Sequence, residues 1–155
     1  MVPVRAKAVL GLAIWVWACF STAVAQASEW IRYGTSPSGS MAYYDEAGIV
    51  RVPNGAVKVT VRMVFSEEEI RRYLQYRTQG NLPTGGYDKV KYAELTREID
   101  CRRKEITTIS VREFSADNEP LSTFTIDENR MPFVPIAPAS MDEHLYRAVC
   151  YPMKK

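Results

Sequence analysis

The chain has 155 residues, with 20 Lys+Arg against 18 Asp+Glu, an apolar fraction of 46% and a charged fraction of 25%. This length fits one domain with at most a small appendage, and the composition excludes wholesale disorder. A formal charge of +2 excludes a strongly basic nucleic-acid binder, and a single histidine with three cysteines leaves little material for a His-rich metal centre.

The first 27 residues read as an export address. Arg5 and Lys7 form a positive n-region, Ala8 to Phe20 is an apolar run, and small residues follow to Ala27. That order is the pattern of a secretory signal peptide, and the run is shorter than the roughly 20 apolar residues a membrane span needs. Ala23-Val24-Ala25 and Ala25-Gln26-Ala27 both fit the small-x-small cleavage rule. A competing reading takes Cys19 as the lipidated N-terminus of a bacterial lipoprotein, with Trp17 where a small residue is usual, and membrane contact follows only in that case. A third leaves the segment as an uncleaved anchor. Removing residues 1–27 takes away Arg5, Lys7 and Cys19 but no acidic residue, so residues 28–155 carry 18 basic and 18 acidic groups. The mature domain is neutral, and any cationic function must come from local patches.

Trp30 to Tyr33 predicts a strand and Gly34 to Ser40 a turn-rich segment. Met41–Asp45 and Ile49–Val52 predict a strand pair around Glu46-Ala47-Gly48. Pro53-Asn54-Gly55 is a turn signal. Val57, Val59, Val61, Met63 and Phe65 then alternate with Lys58, Thr60, Arg62 and Val64, the pattern of a half-buried antiparallel strand. Ser66-Glu67-Glu68-Glu69 has capping-box spacing and opens a short helix through about Tyr76, with Ile70, Tyr73 and Leu74 on one face. Thr78–Asp88, with Gly80, Pro83, Gly85 and Gly86, predicts a mobile loop.

Lys91 to Cys101 predicts a strand whose odd positions, Ala93, Leu95, Arg97, Ile99 and Cys101, share the apolar side. Ile106–Phe114 and Leu121–Ile126 follow across short turns, favouring an antiparallel meander. Prolines 132, 135 and 138 make Met131–Pro138 extended chain and bar it from a central strand. Ser140-Met141-Asp142-Glu143 is a second capping box, opening a helix to about Val149 with Met141, Leu145 and Val149 as its apolar stripe.

Two cysteines, Cys101 and Cys150, remain after the leader. An even count in an exported chain reads as a disulfide, and closing this loop of about 50 residues contributes on the order of 4 kcal/mol in the chain-entropy model. Two free thiols are the plain alternative. A metal site would have His144 as its one nitrogen ligand, short of the usual four ligands. The expected architecture is α+β: a curved antiparallel sheet of about six strands with a C-terminal helix packed on one face and tethered by that disulfide.

The pattern resembles the bacterial surface-adhesin protein E family. The resemblance rests on Trp30, Tyr43-Tyr44-Asp45, the Val57-to-Ser66 strand ending in Phe-Ser, Asp100-Cys101, and Pro138-Ala139-Ser140 before a helix ending Val149-Cys150. It spans residues 30–150 and implies the same disulfide-tethered sheet. Family members often carry tryptophan near Thr60 and near Phe133, and this sequence has neither. Pathogen members bind host matrix proteins and plasma proteins such as vitronectin, while relatives occur in environmental bacteria with no obvious host ligand. Only the cysteine pair carries over residue by residue.

Nucleophilic catalysis needs a nucleophile beside an oriented base. His144 sits off the helix stripe next to Glu143 and reads as solvated. Glu67-Glu68-Glu69 is explained by the helix dipole, and Gly85-Gly86 lacks a phosphate-loop context. The basic cluster Arg102-Arg103-Lys104, with Arg97 and Arg112, is the candidate binding patch for an acidic polysaccharide or protein segment, beside the plain reading of a solvated turn. Nine tyrosines suit protein contacts or half-buried sheet positions. No catalytic, cofactor or metal site is expected. The function expected is an exported non-enzymatic binding module for a protein ligand, located in the periplasm, at the outer membrane or on the cell surface. The alternative is a structural or assembly component of the envelope, self-associating through sheet edges, with a homodimer as the partner state.

Overall fold

The computed structural model describes residues 28–126 and 132–152. The segment read as an export address, with its candidate cleavage sites and Cys19, and Met131 lie outside the described residues. The elements in order are β1 (Trp30–Thr35), β2 (Met41–Asp45), β3 (Val50–Arg51), β4 (Ala56–Val64), α1 (Glu67–Gln79), β5 (Val90–Asp100), β6 (Glu105–Ser115), β7 (Pro120–Thr125), β8 (Val134–Pro135) and α2 (Met141–Cys150). The sheet runs β1-β2-β4-β5-β6-β7, every pair antiparallel, with β3 on β4 and β8 on β6. This is the α+β architecture expected from the residues.

The alternation in β4 decides which side is covered. Val57, Val59 and Val61 are buried together with Ile99 of β5 and Ile106 of β6, and Leu145 and Val149 of α2 join the same cluster. Ser140 caps α2 by accepting from the Glu143 amide at 3.1 Å. The first turn of that helix comes close to β1: a Cβ at Gly34 would stand 3.3 Å from Met141 Cγ and Sδ, a tight approach that the methionine side chain would have to yield to. Cys101 and Cys150 are bonded with their Cα atoms 5.7 Å apart, tying the end of α2 to the end of β5. Among the described residues no helix is long and apolar enough to cross a membrane.

Two departures from the sequence reading have physical causes. First, β2 and β3 do not pair with each other. Both lie along the same edge of β4, β2 against residues 61–64 and β3 against residues 57–58, because β1 already occupies the other edge of β2. Second, α1 runs past Tyr76 to Gln79, and the segment after it ends in a 3₁₀ turn, Tyr87–Lys89, with Tyr87 buried. The stretch predicted as a mobile loop is thus anchored at its far end by an aromatic side chain. The sequence left the face of α1 open, and α1 lies on the same sheet face as α2. Its Tyr73 reaches Glu113, whose register partner Ala93 faces Met63, one step along the Val57-Val59-Val61 side. The prolines act as expected: β8 is two residues long and pairs at the end of β6 with Glu105 and Ile106.

Candidate functional site

The residues of the predicted basic patch are found in three places. Arg102 donates from Nη2 to the Asn54 carbonyl at 2.5 Å. Arg103 donates from Nε to Asp100 Oδ2 at 2.8 Å and pairs with Glu105 Oε2 at 3.2 Å. Lys104 donates from Nζ to Glu143 Oε1 at 2.7 Å. These three cations are therefore engaged within the chain. Arg97 lies on the helix-covered face, paired with Asp142 of α2 at 3.3 Å, while Arg112 lies on the opposite face against Glu94 at 2.8 Å. A strand alternates its side chains between faces, so nearness in sequence did not make these cations one surface. His144 is exposed, as read from its position off the apolar stripe.

Two buried carboxylates organise the covered face. Glu143, 7% exposed, accepts from Lys104 Nζ and from the Ala139 amide at 2.7 Å each. Those two hydrogen bonds, with the Lys104 and Arg147 charges, outweigh burial and hold its carboxyl down at about 2. The ordinary value is 4.5, so this contribution to stability is complete above that pH and is lost as pH falls through it toward 2. Unfolding free energy measured from pH 6 to pH 2 is expected to decline most steeply below 4.5, and Glu143→Gln is expected to flatten part of that decline. An unchanged slope in the variant would contradict this account.

Glu113 of β6 is the second carboxylate, and nothing in the alternation pattern announced it. It accepts from Tyr73 of α1, from Tyr87 Oη at 2.7 Å and from Ser122 Oγ of β7 at 2.6 Å. Arg77 of α1 lies 4.0 Å away, with its guanidinium carbon 3.5 Å from the Tyr87 ring centroid. Burial pushes the Glu113 carboxyl up, but the Ser122, Tyr73 and Tyr87 hydrogen bonds and the Arg77 charge together hold it below the usual range. Burial and the Glu113 hydrogen bond raise the Tyr73 phenol to about 12. The cluster fastens α1, the 3₁₀ turn, β6 and β7 at one point. A saturated carboxylate of this kind is a fastening, since its acceptor positions are already used.

The other sheet face carries no helix among the described residues, and its side chains form rows that cross the strands. One row, read from Cα partners, is Arg32-Tyr43-Arg62-Glu94-Arg112-Thr123, from β1 to β7. Beside it runs Thr35-Met41-Val64-Tyr92-Phe114-Pro120. On the other side lies Thr60-Thr96-Ser110-Thr125, where Ser110 and Thr96 hydroxyls are 3.0 Å apart. Arg62 is held between two rings, its guanidinium carbon 4.1 Å from the Trp30 centroid and 4.7 Å from that of Tyr92, and it donates to Glu94 at 2.6 Å. Tyr92 stacks on Phe114 with centroids 4.8 Å apart and planes 17° from parallel. Next to Arg62 is a concavity of about 210 Å³ lined by Trp30, Met41, Tyr43, Arg62 and Val64. The alternation in β4 places Lys58, Thr60 and Arg62 on the solvent side. Which residues of other strands stand beside them depends on register, which only the folded sheet reveals.

These observations define a disulfide-braced α+β domain: an antiparallel sheet with both helices on one face and a preorganised aromatic and charged surface on the other. The chain belongs to the surface-adhesin protein E family, whose model matches residues 30–151 and so covers the sheet, both helices and both bonded cysteines. Comparison with curated proteins and with solved structures finds no match. Membership in a family of surface adhesins implies a binding role and a cell-surface or exported location.

Proposed function

We propose that the chain is an exported, non-enzymatic binding module, with residues 1–27 as its export address, and that it recognises a protein ligand through the open face of its sheet. The observation that carries this reading is the Trp30-Arg62-Tyr92-Phe114 assembly on a face that neither helix covers. Tryptophan, tyrosine and arginine are the residue types concentrated where protein interfaces gain most of their free energy. Here they are already fixed by stacking and by Glu94, so less side-chain entropy is lost on contact. The Arg102-Arg103-Lys104 turn is a secondary contact in this proposal, since a ligand carboxylate there competes with Asp100, Glu105 and Glu143.

The test is capture of matrix and envelope proteins by the immobilised protein, alongside Thr96→Arg, which places a bulky charge in the middle of the face. Captured partners are expected to be lost in that variant and kept in Gln75→Ala on α1. No partner above background, or binding indifferent to Thr96→Arg, rejects the proposal. A second reading, envelope assembly by strand addition, is favoured by β7: its described partner is β6 alone, and Phe124 on it is 63% exposed. Sedimentation at high concentration separates the two, because a strict monomer excludes self-association.

A further inference from the structure

We propose that the open face takes an extended acidic segment laid across the strands, with one aromatic side chain of that segment seated in the Trp30-Met41-Tyr43-Arg62-Val64 concavity. This rests on the reading of the open face as the ligand surface and adds the chemistry of the ligand.

Charge along one row sets the sign. Arg32, Arg62 and Arg112 stand in register across β1, β4 and β6 with Glu94 as the single carboxylate between them. Glu94 is shared, with Arg62 Nη2 at 2.6 Å on Oε1 and Arg112 Nη2 at 2.8 Å on Oε2. Arg32 is exposed, and among the described residues its side chain pairs with no carboxylate, only with the Thr35 hydroxyl at 2.5 Å. The row thus carries three guanidiniums against one carboxylate on a domain whose residues 28–155 are neutral overall. Asp45, the acid in register with Trp30, lies at the end of β2 with one oxygen accepting from the Glu29 amide at 3.2 Å. Carboxylates of a ligand would find charge-assisted, fork-shaped donors along this row.

Size sets the anchor. A cavity of about 150 Å³ holds one benzene ring, so a concavity of about 210 Å³ accommodates a single phenyl or phenol group. Its walls are an indole, a phenol and a guanidinium already fixed by its neighbours, with Met41 as an adaptable thioether. Six strands at about 4.8 Å spacing make a row roughly 24 Å long, which an extended peptide of about seven residues spans at about 3.3 Å per residue.

The probe is an acetylated, amidated heptapeptide, Glu-Asp-Glu-Phe-Glu-Asp-Glu, titrated into the purified protein by NMR. It is compared with the same peptide carrying Ala for Phe, and with Lys-Lys-Lys-Phe-Lys-Lys-Lys. Binding at least tenfold tighter than either comparison peptide is expected. Arg32→Glu, at an exposed position, should weaken it at least tenfold with the amide spectrum otherwise intact. Trp30→Ala should do the same, and Arg71→Glu on α1 should change nothing. Equal binding of the Ala or the Lys peptide overturns the proposal, as does indifference to Arg32→Glu. The broader reading fails separately. A captured protein lost in Thr96→Arg but unaffected by Arg32→Glu overturns the acidic-aromatic assignment and leaves the open face standing. If no protein is captured at all, the reading of the face as a protein surface fails, whatever the peptide titration gives.

Discussion

Replacing Cys101 and Cys150 together with alanine is expected to destabilise the protein by about 4 kcal/mol, lowering the thermal midpoint by roughly 15 °C. The bond closes a stretch with a sequence separation of 49, which contains β6, β7, β8 and α2. Without it the unfolded chain regains the freedom of that whole loop, while the folded chain keeps its packing. The remaining ties on α2 include the burial of Leu145 and Val149, the Arg97–Asp142 and Lys104–Glu143 pairs, the Tyr146 hydroxyl donating to the Cys101 carbonyl at 3.3 Å, and the Arg51 hydrogen bond to the Val149 carbonyl at 3.2 Å. Urea unfolding of the oxidised protein against the double variant measures the difference. A loss below about 1 kcal/mol would mean that packing alone holds the helix. Alkylation of the native protein should label neither cysteine.

Glu113→Ala is expected to cost about 3 kcal/mol, in the range seen when one partner of a buried polar cluster is deleted. The loss falls unevenly. No residue of α1 is buried, so that helix owes its place to half-buried contacts and to Tyr73 and Arg77 reaching the Glu113 cluster. Hydrogen exchange should therefore speed up throughout α1 and around Tyr87 while α2 stays protected. Glu113→Gln keeps an acceptor oxygen but loses the charge facing Arg77, and about 1–2 kcal/mol is expected. If exchange in α1 is unchanged by Glu113→Ala, the helix is held by its apolar contacts with Phe65 and Tyr87 instead.

What could be read from the residues was local or periodic. The alternation from Val57 to Phe65 marked the core face of β4, and both capping serines were found where Ser-x-x-Glu spacing put them. Met141, Leu145 and Val149 marked the inward side of α2 because a helix returns to the same face every three to four residues. The cysteine count was enough to pair Cys101 with Cys150. Family membership over residues 30–151 was legible in the same signals and their order.

What could not be read depended on contacts between distant segments. β2 and β3 each have the composition of a strand, but which edge they take is decided by competition for the hydrogen-bonding groups of β4. Tyr87 sits in a glycine-rich stretch that looks like free loop, and it is buried because Glu113, 26 residues later, supplies an acceptor for its hydroxyl. Arg102, Arg103 and Lys104 are contiguous and invite reading as a patch, yet each finds an acceptor within the fold.

The first count, 155 residues and +2, places the excess charge in residues 1–27 and leaves residues 28–155 neutral. By itself the sequence determined the main element types, the crosslink and the family, because these follow from short-range pattern and composition. Only the tertiary structure decided that three guanidiniums share a row with one carboxylate on an open face. Register between strands is a property of the assembled sheet, so a neutral chain segment can present a cationic row that no run of its residues displays.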